Sequence, residues 1–545
     1  MTIKSTIITA SAGSGKTFTI TKLLAERIKN GLSPSAFIAT TFTVKAADEL
    51  SRRIRKSLME EGLVAQAQAV SSALVGTVNS VAAAIVGDYA IDAGLSPELD
   101  TLTEEAAKRA FDLACDDIIA DAEQLHRGLL QRMGYDKPAD AYVHDRTGSF
   151  PETVRNIAKA ARQNLLSPEQ IRESAEASTS ELFILLDSIG PVSATDNRGE
   201  WATEAIAAFG MAVDSDEGKE SGAAKTRRRK FTDLAAKMRR GTGDISWKEW
   251  AALPTHAGTN AIKALFGQFE GIDSAIAANP AYRDDVAQMI RLVLATAADA
   301  LVAYADYKKA LGLIDFADQE ILALEVIRSS DEVKSAIAET FEVLVVDEFQ
   351  DTNPIQLALF VELGNLAGEI IWVGDPKQSI YGFRGSDPKL MAAAIDSLGS
   401  GDGEVLKLGH SWRSHELPLA FSNELFEATM PPEANVRLTI APDKRVEHAG
   451  GDVRVWKPVG VKGNSNKQWF DAIVGGVASL IREGVSPGDI AVLARTAAHV
   501  EGIATALVNA GIPCTGDTSD LRRTREGHVM RAALGYLVDT TDRRS

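Results

Sequence analysis

The feature that most constrains this chain is an apolar segment that ends in two adjacent carboxylates. Five apolar residues between Phe341 and Val346 precede the pair Asp347 and Glu348. Such a run predicts a buried strand of a parallel sheet, with the two acids at its carboxyl end. In open α/β sheets, ligands bind at that end of the strands. The segment therefore predicts an α/β domain with a ligand site beside the acid pair.

The N-terminus carries the other half of such a site. Residues 5–9 are typical of a strand, and a glycine-rich stretch and a helical pattern follow them. In a P-loop, successive backbone N–H groups and a helix N-terminus hold phosphate oxygens. The stretch consists of Ala10, Ser11, Ala12, Gly13, Ser14, Gly15, Lys16 and Thr17. It predicts a site for a nucleoside triphosphate and Mg²⁺, although Ala10 stands where the strict pattern has glycine.

The residue types in the two segments suggest a division of labour in phosphoryl transfer. We expect Lys16 to reach the β- and γ-phosphates and Thr17 to bind Mg²⁺. We expect Asp347 to hold Mg²⁺ through water and Glu348 to orient and deprotonate the attacking water. A glycine-rich turn or a solvated strand end is the alternative for either segment alone. Their combination favours an NTPase.

A third segment, from Trp372 to Gly385, ends a strand in a turn with an amide, two aromatic rings and an arginine. Gln378 is suited to sensing a γ-phosphate through hydrogen bonds. Tyr381 and Phe383 offer ring faces on which the bases of a single strand can stack. Core packing is the alternative for each ring.

Together these segments resemble the ordered motifs of superfamily 1 DNA helicases of the UvrD/Rep type, and they look closest to RecB/AddA-type helicase–nuclease subunits. The resemblance covers residues 1–90 and 310–540. It implies an ATP- and Mg²⁺-dependent motor that moves 3′ to 5′ on single-stranded DNA, in repair or recombination. The implied partners are single-stranded or duplex DNA and a nuclease or helicase partner subunit.

Further site residues follow from the resemblance alone. It places Thr41 and Thr77 at the DNA backbone, together with Asn79, which stands where the family usually has histidine. It also places Trp412 against the adenine and Arg413 at the γ-phosphate.

Pattern and resemblance together predict an α/β fold with two RecA-like P-loop motor domains, the second incomplete. Residues 1–90 and 310–400 would form the first motor domain, 91–309 a mostly helical insertion in it, and 401–545 part of the second. The expected helices include 18–29, 45–60, 467–483 and 500–510. The expected strands of the second domain are 405–408, 453–455 and 489–494.

The family's later motifs and its C-terminal nuclease domain do not follow within the 545 residues. One of those motifs carries a second phosphate-facing arginine, and a positioned arginine can raise the rate about 10³–10⁵-fold. An alternative function is therefore a truncated ATP- and DNA-binding subunit with weak hydrolysis that needs a partner chain. A purely structural subunit is disfavoured, because no structural role requires Lys16, Asp347 and Glu348 together.

The net charge of −17 argues against a protein that coats polyanions generally, but a local basic groove can still bind DNA. The dense basic cluster between Arg227 and Arg240 fits either a solvated helix face or contact with the DNA backbone. Two distant cysteines, Cys115 and Cys514, are typical of a cytosolic chain. We find no signal peptide and no apolar run of membrane-spanning length. The expected location is the cytoplasm, at the nucleoid.

Overall fold

A computed structural model of the chain describes residues 4–91, 99–135, 149–218, 221–255, 260–380, 382, 388–399, 403–431, 436–456, 466–515, 529–530 and 533. The chain divides into two units. The first consists of Met1–Ser414 and Phe426–Arg445, and the second of His415–Leu425 and Val446–Ser545.

The described residues of the first unit contain a parallel sheet of six strands. The strands of the chain, in order, are β1 (Lys4–Ala10), β2 (Phe37–Thr41), β3 (Leu74–Thr77), β4 (Asp100–Thr101), β5 (Leu313–Ile314), β6 (Val343–Val346), β7 (Glu369–Gly374), β8 (Glu404–Leu408), β9 (His410–Ser411) and β10 (Thr439–Ile440). The sheet has the order β3-β2-β6-β7-β1-β8, and β4 pairs with β5 and β9 with β10 outside it. The predicted α/β class is confirmed.

The helices, in order, are α1 (Lys16–Lys29), α2 (Val44–Glu60), α3 (Val64–Ala69), α4 (Val78–Tyr89), α5 (Glu104–Leu125), α6 (Arg127–Met133), α7 (Phe150–Gln163), α8 (Pro168–Ile189), α9 (Arg198–Ser215), α10 (Gly222–Arg240), α11 (Trp247–Ala251), α12 (Asn260–Ala264), α13 (Ile272–Ala278), α14 (Pro280–Leu311), α15 (Phe316–Ser329), α16 (Asp331–Thr340), α17 (Pro354–Ala367), α18 (Pro388–Gly399), α19 (Glu416–Thr429), α20 (Asn466–Arg482) and α21 (Ala497–Asn509). The four helices expected above are confirmed, with ends that differ by up to three residues.

Helices cover both faces of the sheet, which explains the continuous apolar runs of its central strands. Leu344 and Val346 of β6 pack on one side, in a core shared with α4, α15, α16 and α17. Val343 and Val345 pack on the other side, with α1, α2 and α3. All four β6 side chains are buried, so the strand is held rigidly and delivers Asp347 at a defined place.

Between β4 and β5 the described residues are mostly helical, and α14 is their central element. It packs against α5, α7 and α8, and its Tyr304 shares a core with Phe111 of α5 and Phe150 of α7. A second core collects α9, α10 and α11 around Trp250, which is completely buried. These helices leave the first unit's sheet after α4 and return to it through α15.

Helix α14 is long and apolar enough to cross a membrane by length and composition, although we expected no apolar run of that length. Its buried residues include Arg283, Asp285 and Lys308, and each takes part in an ion pair. Buried charges that are paired within the protein are typical of the central helix of a helical domain. The three charges lie near the two ends of the helix and leave the stretch between them largely apolar.

A buried ionic cluster ties this helical region to the sheet domain. Arg162 of α7 donates to Asp315 at 2.7 and 2.8 Å and to Asp318 at 2.7 Å. Lys308 of α14 contacts the same two carboxylates, and the Tyr304 hydroxyl donates to Asp315 at 2.9 Å. Asp315 also caps the N-terminus of α15. Three helices therefore meet at one neutral set of two cations and two carboxylates.

Two expectations about the region after residue 400 are wrong. Strand β8, which we expected to open a second α/β sheet, pairs with β1 from Thr6 opposite Glu404 to Ala10 opposite Leu408. Residues 453–455 and 489–494 form no strand, since no neighbouring strand pairs with them among the described residues, and Asp489 ends a 3₁₀ turn. Several of their side chains remain in solvent, and Leu493 is 94% exposed.

In the second unit, α20 and α21 pack against each other around Val477, Ile503 and Leu507. A cleft of about 590 Å³ lies beside α21 and is lined mostly by apolar residues such as Val492 and Ile512.

Candidate active site

The predicted site residues of the first unit lie at one edge of the sheet. Because all six strands are parallel, their carboxyl ends meet at that edge. The P-loop follows β1, the acid pair follows β6, and the Gln378 turn follows β7. Thr41 ends β2 and Thr77 ends β3, while Trp412 and Arg413 follow β9. The topology therefore assembles segments that are more than 300 residues apart in the chain.

The P-loop has the backbone that a phosphate cradle requires. Gly13 and Gly15 have φ values of 73° and 92°, in the left-handed region that favours glycine. Gly15 precedes α1 without a side-chain cap, so the first N–H groups of the helix are open to an anion. Ser14 is buried, and its hydroxyl donates to the Ser11 carbonyl at 2.7 Å, which closes the turn.

Trp412 and Arg413 lie against this loop. The Trp412 backbone N–H donates to the Gly13 carbonyl at 2.8 Å. A Cβ atom on Gly13 would lie 2.8 Å from Arg413 Cβ, and one on Gly15 would lie 3.5 Å from Trp412 Cδ1. Packing as well as backbone conformation therefore requires glycine at position 13, whereas at Gly15 only the left-handed backbone disfavours a side chain. The exposed Trp412 and Arg413 side chains border the phosphate cradle, where the resemblance places them.

The acid pair meets the P-loop lysine directly. Lys16 Nζ lies 2.5 Å from Glu348 Oε2. Glu348 adopts a φ of 55°, which is rare for a residue with a Cβ atom and costs of order 1–3 kcal/mol. The Asp347 carboxylate accepts a hydrogen bond from the Glu348 N–H at 3.0 Å. The two adjacent carboxylates therefore have different partners, Glu348 the P-loop lysine and Asp347 the Glu348 N–H.

The carboxyl groups following β6 have perturbed acidities. Burial, and then the charge of Glu348, raise the pKa of Asp347 to about 6, although Lys16 opposes this change. Burial and Glu348 also raise the pKa of Asp351 to about 6, and a hydrogen bond from Gln350 opposes it. Asp351 is buried, and its Oδ1 atom has no hydrogen-bond partner. Raised pKa values in a cleft are typical of functional sites, and a bound cation would lower that of Asp347.

Thr17 and Asp347 fit Mg²⁺ in the way this ion is held beside phosphates. Among the described residues, no group of three or more His, Cys, Asp or Glu side chains could hold a metal alone. Mg²⁺ needs no such group, because it keeps several waters and uses one or two protein ligands plus phosphate oxygens. The half-buried Asp347, with its raised pKa, and the phosphate cradle beside it suit that arrangement.

Sequence reasoning gave no role to Gln350 and Asp375, which connect the acid pair to Gln378. Gln350 is 2% exposed, and its Nε2 donates to Glu348 Oε2 at 2.8 Å. Its Oε1 accepts from the Asp375 N–H at 2.8 Å. Asp375 in turn accepts from Gln378 Nε2 at 2.7 Å. The sequence signal that could have pointed to Gln350 is its amide, two residues after Glu348, because a turn on the protein surface does not require an amide side chain.

The residues expected to contact DNA differ in their accessibility. Thr41 is 2% exposed, and its hydroxyl donates to the Thr43 carbonyl at 3.0 Å, so the side chain is not open to a phosphate. Thr77 is half-buried and caps α4. Asn79 Nδ2 lies 3.4 Å from the Phe316 carbonyl. Tyr381 and Phe383 lie outside the described residues.

The basic cluster of α10 is partly occupied by structural ion pairs. Arg227 pairs with the buried Asp216, and Arg228 contacts the Asp216 carbonyl. Lys237 pairs with Glu249 at 2.8 Å. Arg239 and Arg240 are exposed. Structural ion pairs and contacts therefore account for part of the cluster, while its C-terminal arginines remain exposed.

Comparison with known proteins places these motifs in a family. Curated relatives include an ATP-dependent helicase/nuclease subunit of Streptococcus pneumoniae, which is 23% identical over 97% of this chain and 48% of its own length. The protein of the same name from Streptococcus equi subsp. zooepidemicus is 24% identical over 78% of this chain and 37% of its own length. The exonuclease/helicase subunit RexA of S. pneumoniae is 22% identical, again over 97% and 48%.

The chain thus spans about half, or less, of the length of these relatives. The family model for the UvrD/REP helicase N-terminal domain matches residues 2–195 and 263–398, which is more than half of the chain. These residues contain the P-loop, the acid pair and the Gln378 turn. The chain belongs to the UvrD/REP helicase family.

Proposed function

We propose that this chain is the motor part of an ATP-dependent DNA helicase that moves 3′ to 5′ on single-stranded DNA in repair or recombination. It would act in the cytoplasm, together with a partner subunit of a helicase–nuclease assembly. The observation that carries the proposal is the contact of Lys16 with Glu348 beside Asp347, at the edge where the P-loop opens. The names of the relatives support a helicase–nuclease context.

The geometry supports a direct account of ATP hydrolysis. Lys16 is bonded to Glu348 at 2.5 Å. A triphosphate carries more charge than one carboxylate and competes for Lys16. The Glu348 oxygen is then free to accept a proton from the attacking water. Bound Mg²⁺ neutralises phosphate charge, and Thr17 and Asp347 would hold it.

Gln378 and Arg413 complete the proposed set. Gln378 lies in the turn after β7, where its amide would sense a γ-phosphate through hydrogen bonds. Arg413 borders Gly13 and can approach the same phosphate. Thr77, Asn79, Tyr381 and Phe383 remain our candidates for contacting DNA, whereas the buried side chain of Thr41 does not.

The ATPase rate of the chain, measured with and without single-stranded DNA, tests this proposal. We expect DNA to raise the rate and Glu348→Gln to abolish the rise while nucleotide binding persists. Lys16→Ala should weaken nucleotide binding itself. Displacement of streptavidin from a 3′ or a 5′ biotinylated strand then gives the polarity, and release from the 5′ end alone is expected for 3′ to 5′ movement.

A second outcome would favour a different function. Tight binding of ATP and DNA with a near-zero rate, unaffected by Glu348→Gln, would indicate a nucleotide-binding subunit that needs a partner chain for hydrolysis. Absence of both binding and hydrolysis would contradict the proposed function altogether.

A further inference from the structure

Gln350 is placed between the carboxylate that activates water in our proposal and the turn that carries Gln378. It lies in the short 3₁₀ segment Phe349–Asp351, directly after the acid pair. Its side chain is buried, although glutamine is mostly found on protein surfaces. A buried amide has to satisfy both its donor and its acceptor, and here each partner belongs to the site.

The Nε2 and Oε1 atoms of the Gln350 amide bond to residues that follow two different strands, β6 and β7. Nε2 donates to Glu348 Oε2 at 2.8 Å and to Asp351 Oδ2 at 3.3 Å. Oε1 accepts from the Asp375 N–H, just after β7, at 2.8 Å. The Gln350 carbonyl also accepts from the Ser379 hydroxyl at 3.0 Å. One residue therefore joins the end of β6 to both sides of the turn 375–379.

The surrounding residues leave room for this amide and extend the connection. A Cβ atom on Gly374 would lie 2.6 Å from Gln350 Oε1, so a side chain at that position would displace the amide. Asp375 is 1% exposed, and its carboxylate accepts from Gln378 Nε2 at 2.7 Å and from Lys377 Nζ at 2.8 Å. The contacts form a chain from Glu348 through Gln350 and Asp375 to Gln378.

The two partners of Glu348 differ in what nucleotide binding does to them. Lys16 belongs to the P-loop and is drawn towards phosphates. Gln350 does not belong to the P-loop, and the other acceptor of its Nε2, Asp351 Oδ2, is more distant at 3.3 Å. When Lys16 leaves, the hydrogen bond from Gln350 is the contact that keeps the Glu348 carboxylate in place.

We propose that Gln350 is a positioning residue that fixes the orientation of Glu348 and links it to the turn 375–379. Movement of that turn when DNA binds then reaches the water-activating carboxylate through one buried amide. This inference rests on the proposed function, because it assigns the route by which DNA would stimulate hydrolysis.

Two substitutions separate the two halves of the link. Gln350→Met keeps the approximate size but removes both hydrogen bonds. Gln350→Glu keeps an acceptor for the Asp375 N–H but removes the donor to Glu348. We expect both to lower the DNA-stimulated kcat about 10–100-fold, with the KM for ATP changed by less than about threefold. Loss of positioning acts on the transition state, whereas general damage to the nucleotide site would raise KM as well.

Gln356→Met is the matched control. Gln356 lies six residues further along, and its amide is also bonded to a carboxylate, that of Glu320, at 2.7 Å. It is not part of the proposed site. We expect this variant to retain the wild-type kcat and the wild-type stimulation by DNA.

Hydrogen exchange gives a readout that does not depend on hydrolysis. The Asp375 amide should exchange faster in Gln350→Met, but not in Gln350→Glu or Gln356→Met. A wild-type chain without ATPase activity would contradict the proposed function, while the exchange pattern would still test the structural link. Unchanged kcat and DNA stimulation in both Gln350 variants, beside an active wild type, would overturn the inference. If Gln350→Met does not fold, Gln350→Glu alone decides the kinetic question.

Discussion

Lys16 and Glu348 are 332 residues apart in the chain, yet their side chains meet at 2.5 Å. At the scale of single residues, the site is defined by such side-chain pairs and by the backbone conformations that orient them. Glu348 adopts a left-handed conformation, and Gly13 and Gly15 do so in the P-loop. The positive φ of Glu348, unlike those of the two glycines, indicates that stability has been given up for geometry.

The acidity of Asp347 predicts how stability depends on pH. Its pKa is raised from an ordinary 3.8 to about 6, so the unfolded chain loses this proton more readily than the folded chain. The free energy of unfolding should therefore fall as pH rises from about 4 through 6. We expect Asp347→Asn to stabilise the nucleotide-free protein by roughly 1–3 kcal/mol at pH 8 and by nearly nothing below pH 4. Urea denaturation at several pH values measures this, and a gain independent of pH would contradict it.

We expect substitution of Gly13 by alanine to weaken nucleotide binding for two separable reasons. Gly13→Ala introduces a left-handed alanine, which costs about 1–2 kcal/mol, and a Cβ atom 2.8 Å from Arg413 Cβ. Gly62→Ala is a control with a similar φ of 80° and no atom within 4 Å. We expect a roughly tenfold weaker affinity for a fluorescent ATP analogue in Gly13→Ala alone. Equal affinity in both variants would mean that the P-loop tolerates the side chain.

At the scale of elements, a strand end or a helix start determines where each site residue lies. The run Val343–Val346 is buried on both faces and ends at the acid pair. Lys16 begins α1 at the end of the P-loop. At the N-terminus of α15, the cluster around Asp315 holds α7 and α14 against the sheet domain. Arg162 and Lys308 hold the pKa of Asp315 well below its usual range, although burial alone would raise it.

This cluster predicts a large loss of stability when one cation is removed. Arg162→Met leaves the buried Asp315 and the half-buried Asp318 with only Lys308 to compensate them, and breaking a buried pair typically costs about 3–5 kcal/mol. The control is Arg172→Met, which removes a pair between half-exposed side chains on α8 and α14. That loss should stay below about 1 kcal/mol. Urea denaturation measures the free energy of unfolding of both variants. Similar losses in the two would show that the cluster stabilises the protein no more than an exposed ion pair does.

At the scale of the whole molecule, the net charge of −17 constrains how DNA is held. An acidic protein binds a polyanion through a local basic or stacking surface, and it is repelled elsewhere. In α10, Arg227, Arg228 and Lys237 already contact acidic residues or a carbonyl, which favours a solvated helix face over a main DNA contact.

Salt dependence of binding to single-stranded DNA tests this view. Neutralising three or more phosphates should reduce the affinity at least about tenfold between 50 and 200 mM salt. Replacing the exposed Arg239 and Arg240 by alanine should leave the slope unchanged, since we assign them no phosphate contact. Fluorescence anisotropy with a labelled oligonucleotide measures both. If the double variant has a smaller slope of log affinity against log salt concentration, by the amount of one or two phosphate contacts, then α10 contacts the DNA.

The sequence by itself determined the class of the fold and the residues that we propose for the site. The strand, P-loop and helix are adjacent in the chain, as are the apolar run and its acids, so short-range patterns were sufficient to predict them. The helices near residues 18–29 and 45–60 were predicted for the same reason. The resemblance of three ordered motifs to the UvrD/Rep helicases agreed with the family match.

Only the tertiary structure decided which distant segments meet. Strand β8 was predicted as a strand, but its partner β1 lies some 400 residues earlier, and no local pattern specifies that choice. The bond between Gln350 and Asp375, the packing of Arg413 on Gly13 and the ion pairs of α10 are equally long-range or context-dependent. Residue type states what a side chain can bond to. Its actual partner depends on the neighbours that the parallel sheet and its buried cores bring within reach.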